Sequence, residues 1–312
     1  MRLRREHVRV RVPATSANLG PGYDALGLAL GLHDEVEVQV HARPAVTVEV
    51  SGEGAGEVAA DEGHLVARAL LETFDAVGAP RTGLHLRCTN AVPHGRGLGS
   101  SAAAVVAGVL AARALLGDPP ELDDATVLGL ATRFEGHPDN AAPAVLGGLT
   151  LAWLPGPGAV RLALHPAVVP VVAVPPARLA TAHARSVLPA DVPHADAAFQ
   201  LARAALLVEA LGRRPALLLE ATQDRLHQEY RRAAMPDSLA LVDVLRRRGV
   251  AAVVSGAGPT VLALGVRDED GRVDAEVAMA EAFGGAMGGW RVLSPGVDDR
   301  GGHVVPAGPP PR

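Results

Sequence analysis

Lysine is absent: all 29 basic residues of this 312-residue chain are arginine. That absence excludes the G-x-x-x-x-G-K-[ST] nucleotide loop, the strand lysine of protein kinases and Schiff-base chemistry. Phosphate binding in such a chain must rely on backbone amides, arginine and a metal ion. A single cysteine, Cys88, excludes an internal disulfide framework and a thiolate metal centre. It ends the alternating run Leu84-His-Leu-Arg-Cys88, which reads as a strand with an inert core thiol. Aromatics make up only 3%, so the 48% apolar fraction must pack mainly through Ala, Val and Leu. A formal charge of −5 gives no electrostatic case for nucleic acid or an anionic membrane. No apolar run is long enough to span a bilayer, and the arginine-rich start lacks the apolar segment of a secretory signal. These absences together read as a cytoplasmic protein without a nucleic-acid or membrane partner.

What is present is concentrated in Pro93-His-Gly-Arg-Gly-Leu-Gly-Ser-Ser-Ala-Ala-Ala104. Gly95, Gly97 and Gly99 alternate with larger residues, which lets the backbone take positive φ and approach a ligand closely. The alanine-rich helix that follows offers free N–H groups and the positive end of its dipole, an anion site. Ser100 is expected as the N-cap, and Ser101 can turn its hydroxyl toward a phosphate-bound cation. A capped helix after a flexible turn explains one glycine and one serine, but not five such residues in seven positions.

Around this loop the periodicities predict an α+β sandwich with helices on one face of an antiparallel sheet. Strands are expected at Val8–Val12, Glu35–Val40, Ala45–Val50, Val168–Val174, Val250–Val254, Thr260–Val266 and Trp290–Leu293. Helices are expected at His64–Val77, Ser101–Leu116, Asp124–Phe134, Asp196–Leu211, Pro215–Glu229, Ser238–Arg248 and Ala275–Met287. The cluster Pro155-Gly-Pro-Gly158 marks a domain boundary, giving units 1–156 and 157–295, with 296–312 read as a disordered tail rich in Gly and Pro.

Three further constellations carry chemistry. Pro13-Ala-Thr-Ser-Ala-Asn-Leu-Gly-Pro-Gly-Tyr-Asp24 superficially matches a dinucleotide fingerprint, but Pro21 sits inside the supposed phosphate turn. Taken singly, Asn18 in a turn and Asp24 as a helix cap are equally good readings. Glu135-Gly-His-Pro-Asp-Asn140 places two carboxylates, an imidazole and an amide in six residues. Glu135 can hold a cation together with Ser101, since magnesium prefers a few oxygen ligands plus substrate phosphates; a polar turn closed by Asp139 is the plainer alternative. Ser255-Gly-Ala-Gly-Pro-Thr260 joins two apolar strands, either as a hairpin loop or as a second backbone surface against a phosphate.

These four segments occur together in the GHMP family of small-molecule kinases, which the chain resembles from about residue 8 to residue 293. The first constellation and Glu135-Gly-His-Pro-Asp-Asn-Ala-Ala-Pro143 are most similar to the homoserine kinases of that family. The resemblance implies a ribosomal S5 domain 2-like N-terminal half and a ferredoxin-like C-terminal half. It implies ATP bound by Pro93, His94, Gly95, Arg96, Gly97, Leu98, Gly99, Ser100, Ser101, Ala102, Ala103, Gly256 and Gly258. Ser101 and Glu135 are then the Mg2+ ligands, with Arg185 and Asn140 as further catalytic residues. Substrate contacts fall on Asn18, Asp24, His137, Asp139, Arg185 and Arg231, the substrate being L-homoserine and the assembly a homodimer. For Arg231 an exposed, salt-bridging role is the competing reading. The residue types agree with an amino-acid substrate, because arginine matches a carboxylate and aspartate an ammonium. A threonine or mevalonate kinase and a non-catalytic nucleotide and amino-acid sensor stay open as alternatives. Asn140 stands where some family members carry an aspartate base, so deprotonation through the phosphate itself is expected.

Overall fold

Valine alternation builds the first sheet of the computed structural model, which describes residues 1–284 and 288–306. Val8, Val10 and Val12 of β1 (His7–Ala17) are buried, while Arg9 and Arg11 lie on the more open face. The long β2 (Leu26–His41) serves three partners: β1 along its length, β4 (Gly83–Asn90) beside residues 35–41, and β5 (Leu149–Trp153) beside residues 26–28. β3 (Val46–Gly52) runs parallel to β4, which requires a crossover, and α1 (Leu65–Ala76) supplies it. Behind the sheet lies α2 (Ser100–Leu115), an almost wholly buried helix of small residues. Gly108 lets it approach α1 closely, since a Cβ there would stand 2.4 Å from the Val66 carbonyl. α3 (Asp124–Glu135), capped by the Asp123 carboxylate on the Thr126 N–H at 2.8 Å, and α4 (Ala141–Leu146) complete this layer.

Two boundary expectations change here. Pro155–Gly158 is the turn between β5 and β6 (Gly158–Leu162), inside the first sheet, so the chain leaves that sheet only after Leu162. Proline and glycine mark a tight turn as readily as a linker. The segment from 296 is not a loose tail as far as it is described. β11 (His303–Val305) pairs antiparallel with β1, and the Asp298 carboxylate lies 2.6 Å from His33 Nε2. It also accepts the N–H groups of Arg300 and Gly301. An open edge of β1 is covered this way. Residues 307–312 lie outside the described residues.

The second sheet contains β7 (Val168–Val174), β8 (Ala251–Val254), β9 (Val261–Val266) and β10 (Arg291–Leu293), in the order β10-β7-β9-β8 and antiparallel throughout. That is the split βαβ arrangement of a ferredoxin-like fold. α8 (Pro236–Arg247) and α9 (Asp274–Phe283) cover one face through Leu241, Leu245, Ala275 and Met279. The last residues of the expected Ala275–Met287 helix, 285–287, lie outside the described residues. On the other face, α6 (His194–Gly212) and the first sheet form one shared core, where Leu19, Leu26 and Leu28 meet Leu207, Leu211, Val253 and Leu262. This common core holds the two halves in fixed register at the cleft between them.

The expected helix at Pro215–Glu229 is broken. Only α7 (Leu218–Ala221) is α-helical, with short 3-10 turns at Pro215–Leu217 and Glu229–Ala234. The Asp224 carboxylate accepts the N–H groups of Leu226, His227 and Gln228, offering the backbone an alternative to the helix. α5 (Thr181–Ser186) is a short helix that the periodicity does not reveal. No helix of the described residues is long and apolar enough to cross a membrane.

Candidate active site

All three loop glycines take positive φ, with Gly95 at 64°, Gly97 at 76° and Gly99 at 69°. Gly99, not Ser100, is the N-cap of α2, and Ser100 is its first helical residue. The cap position thus has no side chain to occupy the helix's first N–H groups, which strengthens the anion site rather than weakening it. Gly95, Gly97, Gly99, Ser100 and Ser101 line a polar cleft of about 140 Å³. The neighbouring loop residues act behind it. Leu98 is buried in the shared core, with Pro93, Ala102 and Ala103 also buried. Arg96 turns away from the cleft and donates to the carbonyls of Pro175, Pro176 and His94 at 3.0, 2.9 and 3.1 Å.

The Ser255–Thr260 segment is the hairpin loop of one of the two expectations, joining β8 to β9, and it lies against the glycine loop. A Cβ on Gly97 would lie 2.3 Å from the Ser255 carbonyl oxygen, and the Ser255 hydroxyl stands 2.6 Å from the Gly97 carbonyl. Gly256 and Ala257 reach the cleft, whereas Gly258 faces Met235 and does not line it.

Opposite the loop, α3 ends on Gly136, whose left-handed φ of 79° turns Glu135, His137, Asp139 and Asn140 toward the cleft. Ser101 donates to Glu135 Oε1 at 2.6 Å, and burial pushes the Glu135 carboxyl upward against the opposing Ser101 hydrogen bond and His137 charge. His137 Nδ1 and Asp139 Oδ1 are 2.5 Å apart, with Asp139 only 2% exposed. Burial opposes a charge on His137, but the Asp139 hydrogen bond and charge outweigh it and raise its pKa. Asn140 Oδ1 accepts the Thr15 hydroxyl at 2.8 Å, which leaves the amide NH2 for the cleft.

Asn18 and Asp24 both hold positive φ, 69° and 53°. Such strained positions gather at functional sites. The Asn18 amide ties the halves together, donating to the Gly256 carbonyl at 2.9 Å and accepting the Asp24 N–H at 2.9 Å. The Asp24 carboxylate is gripped by Arg185 of α5 through two bonds of 2.7 and 3.2 Å. Arg185 also donates to the Tyr23 hydroxyl at 3.0 Å. Its pKa rises, first through the Asp24 hydrogen bond. Asp24, His137 and Asp139 present their ligand atoms within 4.8 Å of one another.

Arg231 overturns the competing reading of an exposed salt bridge, being 1% exposed. It lines the cleft, and its hydrogen bonds go to the carbonyls of Ala184 and Gly256 and to His227. Burial lowers its pKa. The amphipathic turn around it gives no sequence sign of this depth. Sequence reasoning also missed Thr181, which lines the cleft, and Tyr23 and His227, which surround the two arginines.

A second, more apolar cavity of about 380 Å³ adjoins the first through Ser100 and Ser101. Val36, Val58, Leu65, Ala104 and Ala107 wall it, with His64, His94 and Asp34 at its polar edge. Burial lowers the pKa of both imidazoles, with the His94 charge adding to the effect on His64 and the Glu53 charge opposing it on His94. Asp34, which accepts the N–H groups of Ala91 and Val92, is pushed up to about 6 by burial. The buried Cys88 thiol is pushed up to about 12, by burial and then by the Asp34 charge.

Comparison with known proteins agrees with this geometry. The family model of the GHMP kinases N terminal domain matches residues 64–148, and that of the GHMP kinases C terminal matches residues 202–285. The homoserine kinase of Streptomyces avermitilis is 54% identical over 303 residues, covering 96% of this chain and 96% of that protein. The homoserine kinase of Clavibacter michiganensis is 54% identical over 299 residues, covering 95% and 93%. The crystal structure of homoserine kinase from Cytophaga hutchinsonii superposes with a TM-score of 0.86 at 27% identity, covering 97% of this chain and 98% of that one.

Proposed function

The chain belongs to the GHMP kinases, within them to the homoserine kinases, and from that premise we propose that it transfers the γ-phosphoryl group of ATP to the side-chain hydroxyl of L-homoserine. The product is O-phospho-L-homoserine, an intermediate of threonine biosynthesis. The observation that carries this reading is the pair of arginines in one cleft, Arg231 buried without a carboxylate and Arg185 facing Asp24. An α-amino acid offers an anion for the arginines and a cation for Asp24 and Asp139, with Asn18 fixing the Asp24 loop. A neutral polyol would leave the buried Arg231 without its anion, at a cost of several kcal/mol, whereas Asp24 and Asp139 keep Arg185 and His137 as partners.

The phosphates of ATP belong on the glycine loop and the α2 N–H groups. The nucleoside belongs in the adjoining apolar cavity, which lies wholly in the N-terminal half. Ser101 and Glu135 suit Mg2+: they are two hard oxygen donors in contact, one of them a half-buried carboxylate with no arginine among its hydrogen-bond partners. When bound, the ion would offset charge on the β- and γ-phosphates. The remaining task is alignment, because phosphoryl transfer has a loose transition state. Asn140 cannot take a proton, Asp24 is held by Arg185, and Asp139 is held by His137. The hydroxyl proton therefore passes to the transferring phosphate. We divide the chain functionally where it leaves the first sheet, between Leu162 and Val168, and place the protein in the cytoplasm as a homodimer, which sedimentation equilibrium tests.

Coupled ADP release with ATP and Mg2+ tests the reaction, comparing L-homoserine, L-threonine, mevalonate and galactose. Strong stimulation by homoserine alone is expected; ATP binding with silence toward all four would replace the enzyme by a sensor. Asn140→Asp tests the base-free step. Turnover raised more than about tenfold at unchanged homoserine KM would show that a carboxylate base is useful there.

A further inference from the structure

A fully buried guanidinium ordinarily lies against a carboxylate. Arg231 instead donates to the Ala184 carbonyl at 3.0 Å, the Gly256 carbonyl at 3.2 Å and His227 Nδ1 at 3.1 Å. Arginine has no acceptor, so His227 Nδ1 must carry a lone pair and the ring proton must sit on Nε2. That nitrogen lies 2.8 Å from the Gly20 carbonyl, to which it donates. The imidazole is wholly buried, and burial lowers its pKa despite the opposing Asp224 charge, with the Arg231 charge adding to the lowering. The Asp224 carboxylate, 3.5 Å from Nε2, is already engaged by Gln200 and by the N–H groups of Leu226, His227 and Gln228. Tyr23 completes the surroundings. Its ring lies 5.0 Å from that of His227, and 5.7 and 5.8 Å from the guanidinium carbons of Arg185 and Arg231. One aromatic ring thus stands beside both cations.

We propose that His227 is a positioning residue for the substrate: a neutral bridge from the Gly20 carbonyl to Arg231, it aims the guanidinium into the cleft without consuming its charge. The carboxylate of the incoming amino acid is then the anion that completes the buried pair. An acidic residue at 227 would also accept from Arg231, but it would neutralise the guanidinium in advance and, lacking a donor, would release the Gly20 carbonyl. The same chain segment sets both ends of the bridge, since Gly20 belongs to the loop that carries Asn18 and Asp24. Substrate anion and substrate ammonium are therefore registered against one backbone. This inference rests on the reading that the substrate is an amino acid.

The experiment compares kcat/KM for L-homoserine with that for 3-aminopropan-1-ol, which keeps the amine and hydroxyl but lacks the carboxylate. Wild-type enzyme is expected to prefer homoserine by about 1,000-fold. In His227→Glu that preference should fall by about 30-fold or more, through the homoserine KM, while the ATP KM stays within about twofold. His227→Gln, whose amide keeps one donor and one acceptor, should recover the preference to within about fivefold of wild type. Proton–nitrogen correlation spectra of the histidines in the unsubstituted protein give an independent check: the His227 ring should remain the Nε2–H tautomer from about pH 5.5 to 8. A Glu variant with normal ATP KM and undiminished preference overturns the proposal, as does a Gln variant as damaged as Glu, or an Nδ1-bound proton in the spectra. If wild-type enzyme ignores homoserine altogether, the functional reading fails instead.

Discussion

The two cavities that share Ser100 and Ser101 recognise by opposite means. The polar cleft is built from both halves of the molecule, and apart from Arg231 its charged groups are already partnered: Asp24 with Arg185, His137 with Asp139, and Glu135 with the Ser101 hydroxyl. The apolar cavity draws only on residues 34–107 and offers mainly hydrocarbon walls. In the cleft, each polar group is costly to leave alone, so a wrong ligand is rejected strongly. In the cavity, binding scales with buried apolar area and discriminates weakly. Under the proposed function, a chemistry that must tell one small amino acid from its neighbours would place the acceptor in the first and the common nucleotide in the second.

The sharpest way to break this division is at the shared edge. Glu135→Gln keeps a partner for the Ser101 hydroxyl but removes the carboxylate charge. A drop in kcat of about 1,000-fold is expected, with homoserine and ATP KM changed far less, since the lost interaction is strongest in the transition state. Steady-state kinetics over a Mg2+ titration read the effect. Loss of apparent ATP affinity alone would make Glu135 a binding group rather than a catalytic one.

A second break uses Asp34 at the cavity's edge. Its folded pKa of about 6 lies above the unfolded carboxylate value, so the folded state holds the proton more tightly. Stability from this group is therefore full below about pH 4, is lost as pH rises through about 6, and is flat beyond. The loss is on the order of 2–3 kcal/mol over that window. Asp34→Asn removes the titration, so urea midpoints of the variant and wild type should diverge across it and run parallel above. Parallel curves throughout would mean that the backbone N–H groups of Ala91 and Val92 fully support the ionised carboxylate.

Legibility in the sequence followed the same division. The phosphate loop and the Glu135–Asn140 turn were readable because their chemistry is local: glycine alternation and clustered polar residues leave a mark within a dozen positions. The polar cleft was readable only where a motif carried it. Arg231 lies in a turn that looks exposed, and its depth depends on Ala184, Gly256 and His227, up to 47 residues away in sequence. The apolar cavity was almost invisible, since Val36, Val58 and Leu65 look like any half-buried strand or helix residue. Of its histidines only His94 is marked by the loop motif, although His64 caps α1 through the Val66 N–H and stands near it. The β11 strand failed for a related reason, because three residues of pairing carry no period of their own. Long-range pairing, not local propensity, decides such elements.

The mildest test asks whether the cavity truly belongs to the nucleotide. Ala104 lies on the face of α2 that lines it, partly buried at the edge of the core, so a larger side chain can extend into the cavity rather than into the core. Ala104→Leu should fill part of the space and raise the ATP KM by about tenfold, with the homoserine KM within about twofold, because the substitution stays away from the arginines. Nucleotide titration at saturating homoserine separates the two constants. If instead the homoserine KM rises and the ATP KM does not, the ligands are assigned to the wrong cavities. The contrast between charge-partnered and hydrocarbon recognition would then have to be reversed, with the acceptor meeting the hydrocarbon walls.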